Sequence, residues 1–232
     1  MKRILLKLSG EALANGSNEI YDVDFVDRVA AAIKECNDKG YQLAVVVGAG
    51  NIWRGRQGGA MDRTSADRMG MLATVINAIC LKEAIDRTGA SAVVMTAVTM
   101  SPFAEPYSAE AAKRHLDEGR VVVFGAGLGI PFLSTDTGAA VRAAEIGADA
   151  MLMAKNIDYI YTDDPRKNPN AKRLETVKAS EVLALNLKAI DATATAFCLS
   201  TGMPIHVFGL KEPHDIVNAV EGKVAGTVIT AE

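Results

Sequence analysis

The sequence is poor in the residues that most often carry enzyme chemistry. It holds one tryptophan, three histidines and three cysteines, and aromatic residues make up only 5% of its 232 positions. Cys36, Cys80 and Cys198 lie far apart, with no CxxC pair. That excludes a zinc knuckle or a disulfide frame and predicts buried thiols in a reducing, cytoplasmic setting. His115, His206 and His214 fall outside every glycine-rich loop, and neither GxSxG nor HExxH occurs. Acyl transfer and zinc peptidase chemistry therefore have no candidates. Long hydrophobic runs are missing too. Lys7 interrupts the apolar start after Ile4-Leu5-Leu6, too early for a secretory signal, and the uncharged stretch 192–210 contains Gly202 and Pro204. No membrane association is expected. Positive charge is not in excess, with Lys+Arg at 25 against Asp+Glu at 28 and a net charge of −3, so nucleic acid is not an expected partner.

What is present is ordinary globular composition, 49% hydrophobic and 23% charged. Compact apolar runs at 3–8, 42–47, 91–98, 120–124, 149–154 and 204–209 read as strands covered on both faces. Helical patterning fills 23–38, 65–87, 108–118, 136–147 and 189–201. In the second helix Leu72, Val75, Ile76 and Ile79 form an apolar stripe, predicted to face the core. Alternating βα units predict an α/β fold, a three-layer αβα sandwich on a mainly parallel central sheet. No repeat or flexible linker interrupts the chain, so residues 1–232 are expected to form one domain.

Ligands in such folds gather beyond the carboxyl ends of the strands. Glycine loops follow three of the predicted strands: Ser9-Gly10, Gly48-Ala49-Gly50-Asn51 and Gly125-Ala126-Gly127-Leu128-Gly129. Such turns bring backbone N–H groups close to an anion, although glycine also serves simple βα turns. GxxxxGK[ST] is absent, and both Gly-x-Gly turns lack the final glycine of a dinucleotide fingerprint, with Trp53 and Ile130 in its place. Lys7, inside an apolar strand, needs an anionic partner, either a phosphate or an Asp. Ser134, Thr135 or Asp136 can cap the helix that follows, and that terminus can also receive an anion. Asp136 can equally orient lysines or approach Mg²⁺. Asp67 lies in the first turn of the 65–87 helix, with Gly70 a turn later. With no histidine base in these loops, phosphoryl transfer onto a phosphate fits, because such an acceptor is already anionic near pH 7.

The segments KRILLKLSGEAL, VVGAGNIWRG, DRMGMLATVIN, PFLSTDTGAA, YTDDP and GTVI, in this order, resemble the bacterial UMP kinases, which have the amino-acid-kinase fold. The resemblance implies Mg²⁺-dependent transfer of the ATP γ-phosphate to UMP, in pyrimidine nucleotide synthesis. By matching positions it places Lys7, Leu8, Ser9, Gly10, Gly50 and Arg54 at the ATP phosphates, and Lys155, Tyr161 and Asp164 on the ATP side, at phosphate, base and ribose. It places Ala49 and Asp67 at UMP, with Leu128, Gly129, Ile130, Pro131, Phe132, Leu133, Ser134 and Thr135 around the uracil and UMP phosphate. Lys7, Arg54 and Asp136 would be catalytic, and Mg²⁺ would ride mainly on the ATP phosphates rather than on protein ligands. The UMP part would lie mainly in 1–135, the ATP part mainly in 136–232 with the 7–10 loop. Members are typically cytoplasmic homohexamers inhibited by UTP and often activated by GTP. Here Ala49 replaces a third glycine, Leu128 and Ile130 replace Thr and Asn, and only Asn15–Ile20 stands where some members have a Gly/Phe-rich segment linked to GTP. Rival readings are a carboxylate or carbamate kinase of the same fold and a nucleotide-binding sensor without turnover.

Overall fold

The computed structural model describes residues 2–53, 59–163, 165, 167–187 and 189–231. The chain runs β1 (Arg3–Leu8), α1 (Gly10–Ala14), α2 (Val23–Asp38), β2 (Gln42–Val47), α3 (Arg63–Arg87) and β3 (Ala92–Thr96). It continues through β4 (Glu105–Pro106), α4 (Ala109–Asp117), β5 (Val121–Gly125), α5 (Thr135–Ile146), β6 (Ala150–Lys155), β7 (Ile160–Tyr161) and β8 (Arg173–Leu174). The remainder is β9 (Thr176–Lys178), α6 (Ala179–Ala184), α7 (Ala192–Thr201), β10 (Ile205–Gly209), α8 (Asp215–Val220) and β11 (Gly226–Thr230). All the strands and helices expected from the sequence are found, with ends within three residues. The short β4, β7, β8 and β9, the one-turn helices α1, α6 and α8, and β11 were not expected.

Nine strands form one sheet in the order β4-β3-β5-β2-β1-β6-β10-β11-β9. Pairing is parallel throughout except between β10 and β11. Strand β1 is central and buried on both faces. Ile4, Leu6 and Leu8 pack with α2, α3 and α8, while Leu5 packs with residues of α4, α5 and α7 on the other side. This side-to-side alternation along one uninterrupted apolar run is the period-2 geometry of a strand between two helical layers. The expected three-layer αβα sandwich is the observed one.

Helix α3 corrects one expectation. Of its apparent apolar stripe only Val75 is buried; Leu72, Ile76 and Ile79 are exposed, together with Met69. The buried face is made instead by Ala73, Thr74, Asn77, Ala78, Leu81, Ala84 and Ile85. Small side chains let α3 lie close on the sheet, so closeness of approach, not side-chain bulk, decides which face goes inward.

Candidate active site

Strands β5, β2, β1 and β6 are adjacent, so the glycine loops after the first three and Lys155 at the end of the fourth share one edge of the sheet. The loops touch. A Cβ on Gly10 would stand 2.6 Å from the Gly48 carbonyl oxygen and 2.8 Å from the Gly50 nitrogen, so glycine is required by contact between backbones. Asn77 of α3, fully buried, locks the middle loop by donating to Gly48 O at 2.7 Å and to Asn51 Oδ1 at 2.8 Å.

Lys7 is 7% exposed, and its anionic partner is a carboxylate. Its Nζ lies 2.7 Å from Asp136 Oδ1, while Lys155 Nζ donates to Asp136 Oδ2 at 3.0 Å. Ser134, not Asp136, caps α5 by accepting from Thr137 N, which leaves Asp136 in the first turn to hold both lysines. Burial alone would push the Asp136 carboxyl up, but the two ammonium groups outweigh it and hold it below the usual carboxylate value. Burial pushes the Lys155 ammonium below the usual lysine value, against the opposing pull of Asp136. One carboxylate thus serves two cations beside the glycine loops.

Two cavities open on the two sides of the first turn of α5. The larger, about 710 Å³, is lined by Ala49, Gly50, Trp53, Arg63, Asp67, Gly70, Gly127, Leu128, Ile130, Phe132, Leu133, Ser134 and Thr135, among others. The smaller, about 400 Å³, is lined by Asp136, Lys155, the loop after α6 and the start of α7, including Asp191 and Thr195. The structure therefore brings together most residues assigned by resemblance to UMP. Gly129 and Pro131 belong to the same loop without lining the cleft. Gly50, placed by resemblance at ATP, lines the larger cleft next to Ala49. Leu8 is fully buried with its side chain in the core, and the Ser9 hydroxyl caps α1 by accepting from Ala12 N. The Tyr161 hydroxyl donates to Asp158 Oδ1, and the residue lines neither cavity. Gly70 faces Trp53, but a Cβ there would be in ordinary contact at 3.7 Å, so no close approach requires the glycine. Arg54 and Asp164 lie outside the described residues.

Several supporting residues were missed in the sequence. The N–H of Ala126, at a φ of 63°, donates to Thr74 Oγ1 at 2.8 Å. Buried Arg142 donates to Gly127 O at 3.3 Å, pairs with Glu145 at 2.6 Å and lies over the Tyr107 ring at 3.5 Å. Helices α3 and α5 thus grip the loop from opposite sides. Asp191 caps α7 and accepts from Ser134 Oγ and, at 2.7 Å, from Thr137 Oγ1. Burial would raise its carboxyl, yet these hydroxyl donors hold it low. An acid directly before a small-residue helix was the only sequence signal for it. Among the described residues no three His, Cys, Asp or Glu side chains are grouped to hold a metal ion, and no helix is long and apolar enough to cross a membrane.

The sequence pattern of the amino acid kinase family matches residues 2–209. The fold is similar to that of a UMP kinase from Bacillus anthracis, with 35% identity and a TM-score of 0.95 over 100% of this chain and 96% of that one. A UMP kinase from Ureaplasma parvum is 36% identical, with a TM-score of 0.94 over 99% of this chain and 98% of that one. A uridylate kinase from Archaeoglobus fulgidus is 29% identical, with a TM-score of 0.77 over 99% and 100% of the two chains.

Proposed function

Since the chain belongs to the amino acid kinase family, a family of phosphotransferases, we propose that it is a UMP kinase. It would transfer the γ-phosphoryl group of ATP to UMP, giving ADP and UDP for pyrimidine nucleotide synthesis in the cytoplasm. The observation that carries the reading is the meeting of two cavities at the first turn of α5. Ser134 and Thr135 line the larger and Asp136 and Lys155 the smaller, and Lys7 shares the Asp136 carboxylate with Lys155.

UMP takes the larger cleft. Its uracil lies against the loop Leu128–Leu133, where backbone groups and packing read the base, and its ribose hydroxyls reach Asp67. Ser134, Thr135 and the α5 N-terminus face its phosphate. ATP takes the smaller cavity, with Lys155 near its phosphates. The oxygen of UMP phosphate is anionic at neutral pH, its second pKa being about 6, so no protein base is needed. It attacks the γ-phosphorus as the bond to the ADP oxygen breaks. Lys7 and Lys155 neutralise charge on the transferring group, and Asp136 keeps both ammonium groups aimed. Mg²⁺, when bound with the triphosphate, would supply further charge neutralisation, and Asp136 and Asp191 are the carboxylates that line that cavity.

The reading extends to assembly and control. The exposed row Met69, Leu72, Ile76 and Ile79 on α3 fits a second copy of the chain, as a homo-oligomer and in full a hexamer requires. UTP would inhibit by occupying the uridine cleft, and GTP would be the activator to try.

The test is ADP formation from Mg²⁺-ATP with UMP, CMP, dUMP, aspartate or acetylglutamate as acceptor. Turnover should be confined to UMP or strongly prefer it, and Lys7→Ala should lower kcat by about 10²–10³-fold, as for loss of one donor to a transition state. Turnover with a carboxylate alone would transfer the function to another kinase of this fold. ATP binding with no acceptor used would make it a nucleotide-binding protein.

A further inference from the structure

Phe132 is held in an unusual way. Its backbone sits at a φ of 70°, a region that disfavours a bulky side chain, and the residue is 66% exposed. Burial of the ring is therefore not what keeps this conformation. Two contacts from the N-terminal part of α3 do. The Phe132 N–H donates to Asp67 Oδ2 at 2.9 Å, and the Arg63 guanidinium stands 5.6 Å from the centre of the Phe132 ring. Arg63 also donates through Nε to both Asp67 oxygens, each at 2.9 Å. Arg63, Asp67 and Phe132 form a closed triangle, and all three line the larger cleft.

We infer that Arg63 is a positioning residue for the acceptor nucleotide: it fixes the Asp67 carboxylate and pins the Leu128–Leu133 loop to α3. This rests on the reading of the larger cleft as the UMP site. An exposed Arg–Asp pair at i,i+4 is by itself worth little. The third member changes that, because Phe132 brings in a distant segment that the pair alone would not hold. Uridine must meet two partners at a fixed separation, a carboxylate for the ribose and a loop for the base. Arg63 sets that separation before the ligand arrives, which lowers the ordering cost of binding. A lysine would keep the charge beside Asp67 but lose the planar face over the ring.

The test uses Trp53, the only tryptophan, which lines the same cleft and donates through Nε1 to Ala66 O at 2.9 Å. Its fluorescence gives the Kd for UMP without turnover, and steady-state kinetics give KM for UMP and for ATP. Arg63→Ala should raise the Kd and KM for UMP about tenfold, with KM for ATP unchanged and kcat within about threefold, consistent with losing one cation–π contact and one carboxylate contact. Arg63→Lys should recover part of the loss. The control is Arg28→Ala, which removes a similar exposed pair with Glu212 over Phe25 away from the cleft and should change nothing. An unchanged UMP Kd in Arg63→Ala, or equal rises in both KM values, overturns the inference while leaving the UMP reading intact. If the wild type neither turns over UMP nor changes its fluorescence with it, both fall together.

Discussion

At Lys7, a strand interior and a charged site share one residue. The position is read from the sequence as an oddity, a lysine in an apolar run, and that oddity leads to Asp136 once α5 is placed. Asp191, Arg142 and Thr74 could not be read the same way, since their roles depend on which loops they meet and none breaks a local pattern. Asp136→Asn would leave two largely buried ammonium groups without their counter-charge, and should lower stability at pH 7 by roughly 3 kcal/mol in urea unfolding. The pH dependence has a definite sign. The Asp136 carboxyl titrates lower in the folded protein than in the unfolded chain, so its contribution is complete above the unfolded value and is lost as pH falls through the folded one. The wild type should therefore lose more stability than Asp136→Asn between about pH 5 and pH 3. Gly10→Ala forces a methyl against two backbone atoms that belong to the neighbouring loop. A cost of about 1–3 kcal/mol is expected, read as a lower melting temperature.

Among the elements, α3 separates what sequence patterning can and cannot reveal. Its extent is legible, but its orientation is not. Hydrophobic spacing points to Leu72, Ile76 and Ile79, whereas the sheet receives Ala73, Ala78 and buried polar Asn77, whose amide ties down the glycine loop. The apolar row facing away is then unsatisfied in one copy of the chain. Ile76→Asp should lower the molar mass measured by light scattering without changing the helix content seen by circular dichroism. The central parallel strands were legible because both of their faces are apolar. Strands β9 and β11 were not, because β9 is a three-residue edge strand and β11, although paired on both sides, alternates buried with half-buried positions in place of a continuous apolar run. The loop after β5 was legible as a glycine turn, while its grip by Thr74 and Arg142 was visible only in three dimensions.

For the whole molecule, two ligand cavities on one continuous sheet predict that the two nucleotides stabilise a single folding unit. On the proposed function, UMP or ATP at about a hundred times its Kd would add about 2.7 kcal/mol, which for a chain of this length is a melting shift of about 5–10 °C. Differential scanning fluorimetry should show both shifts in one transition, with the two ligands together exceeding either. The sheet order also sets a timetable. Strand β1 pairs with β2 soon after it in the chain, but its other neighbour, β6, follows only after β3, β4 and β5. At about 5–20 residues per second of synthesis, Lys7 is made several seconds before Asp136 exists to meet it. The nascent chain must carry that ammonium unpaired until α5 is made, and it carries it near the carboxyl end of β1. Until then the charge has to stay in water, so the Lys7 end of β1 closes only when α5 docks.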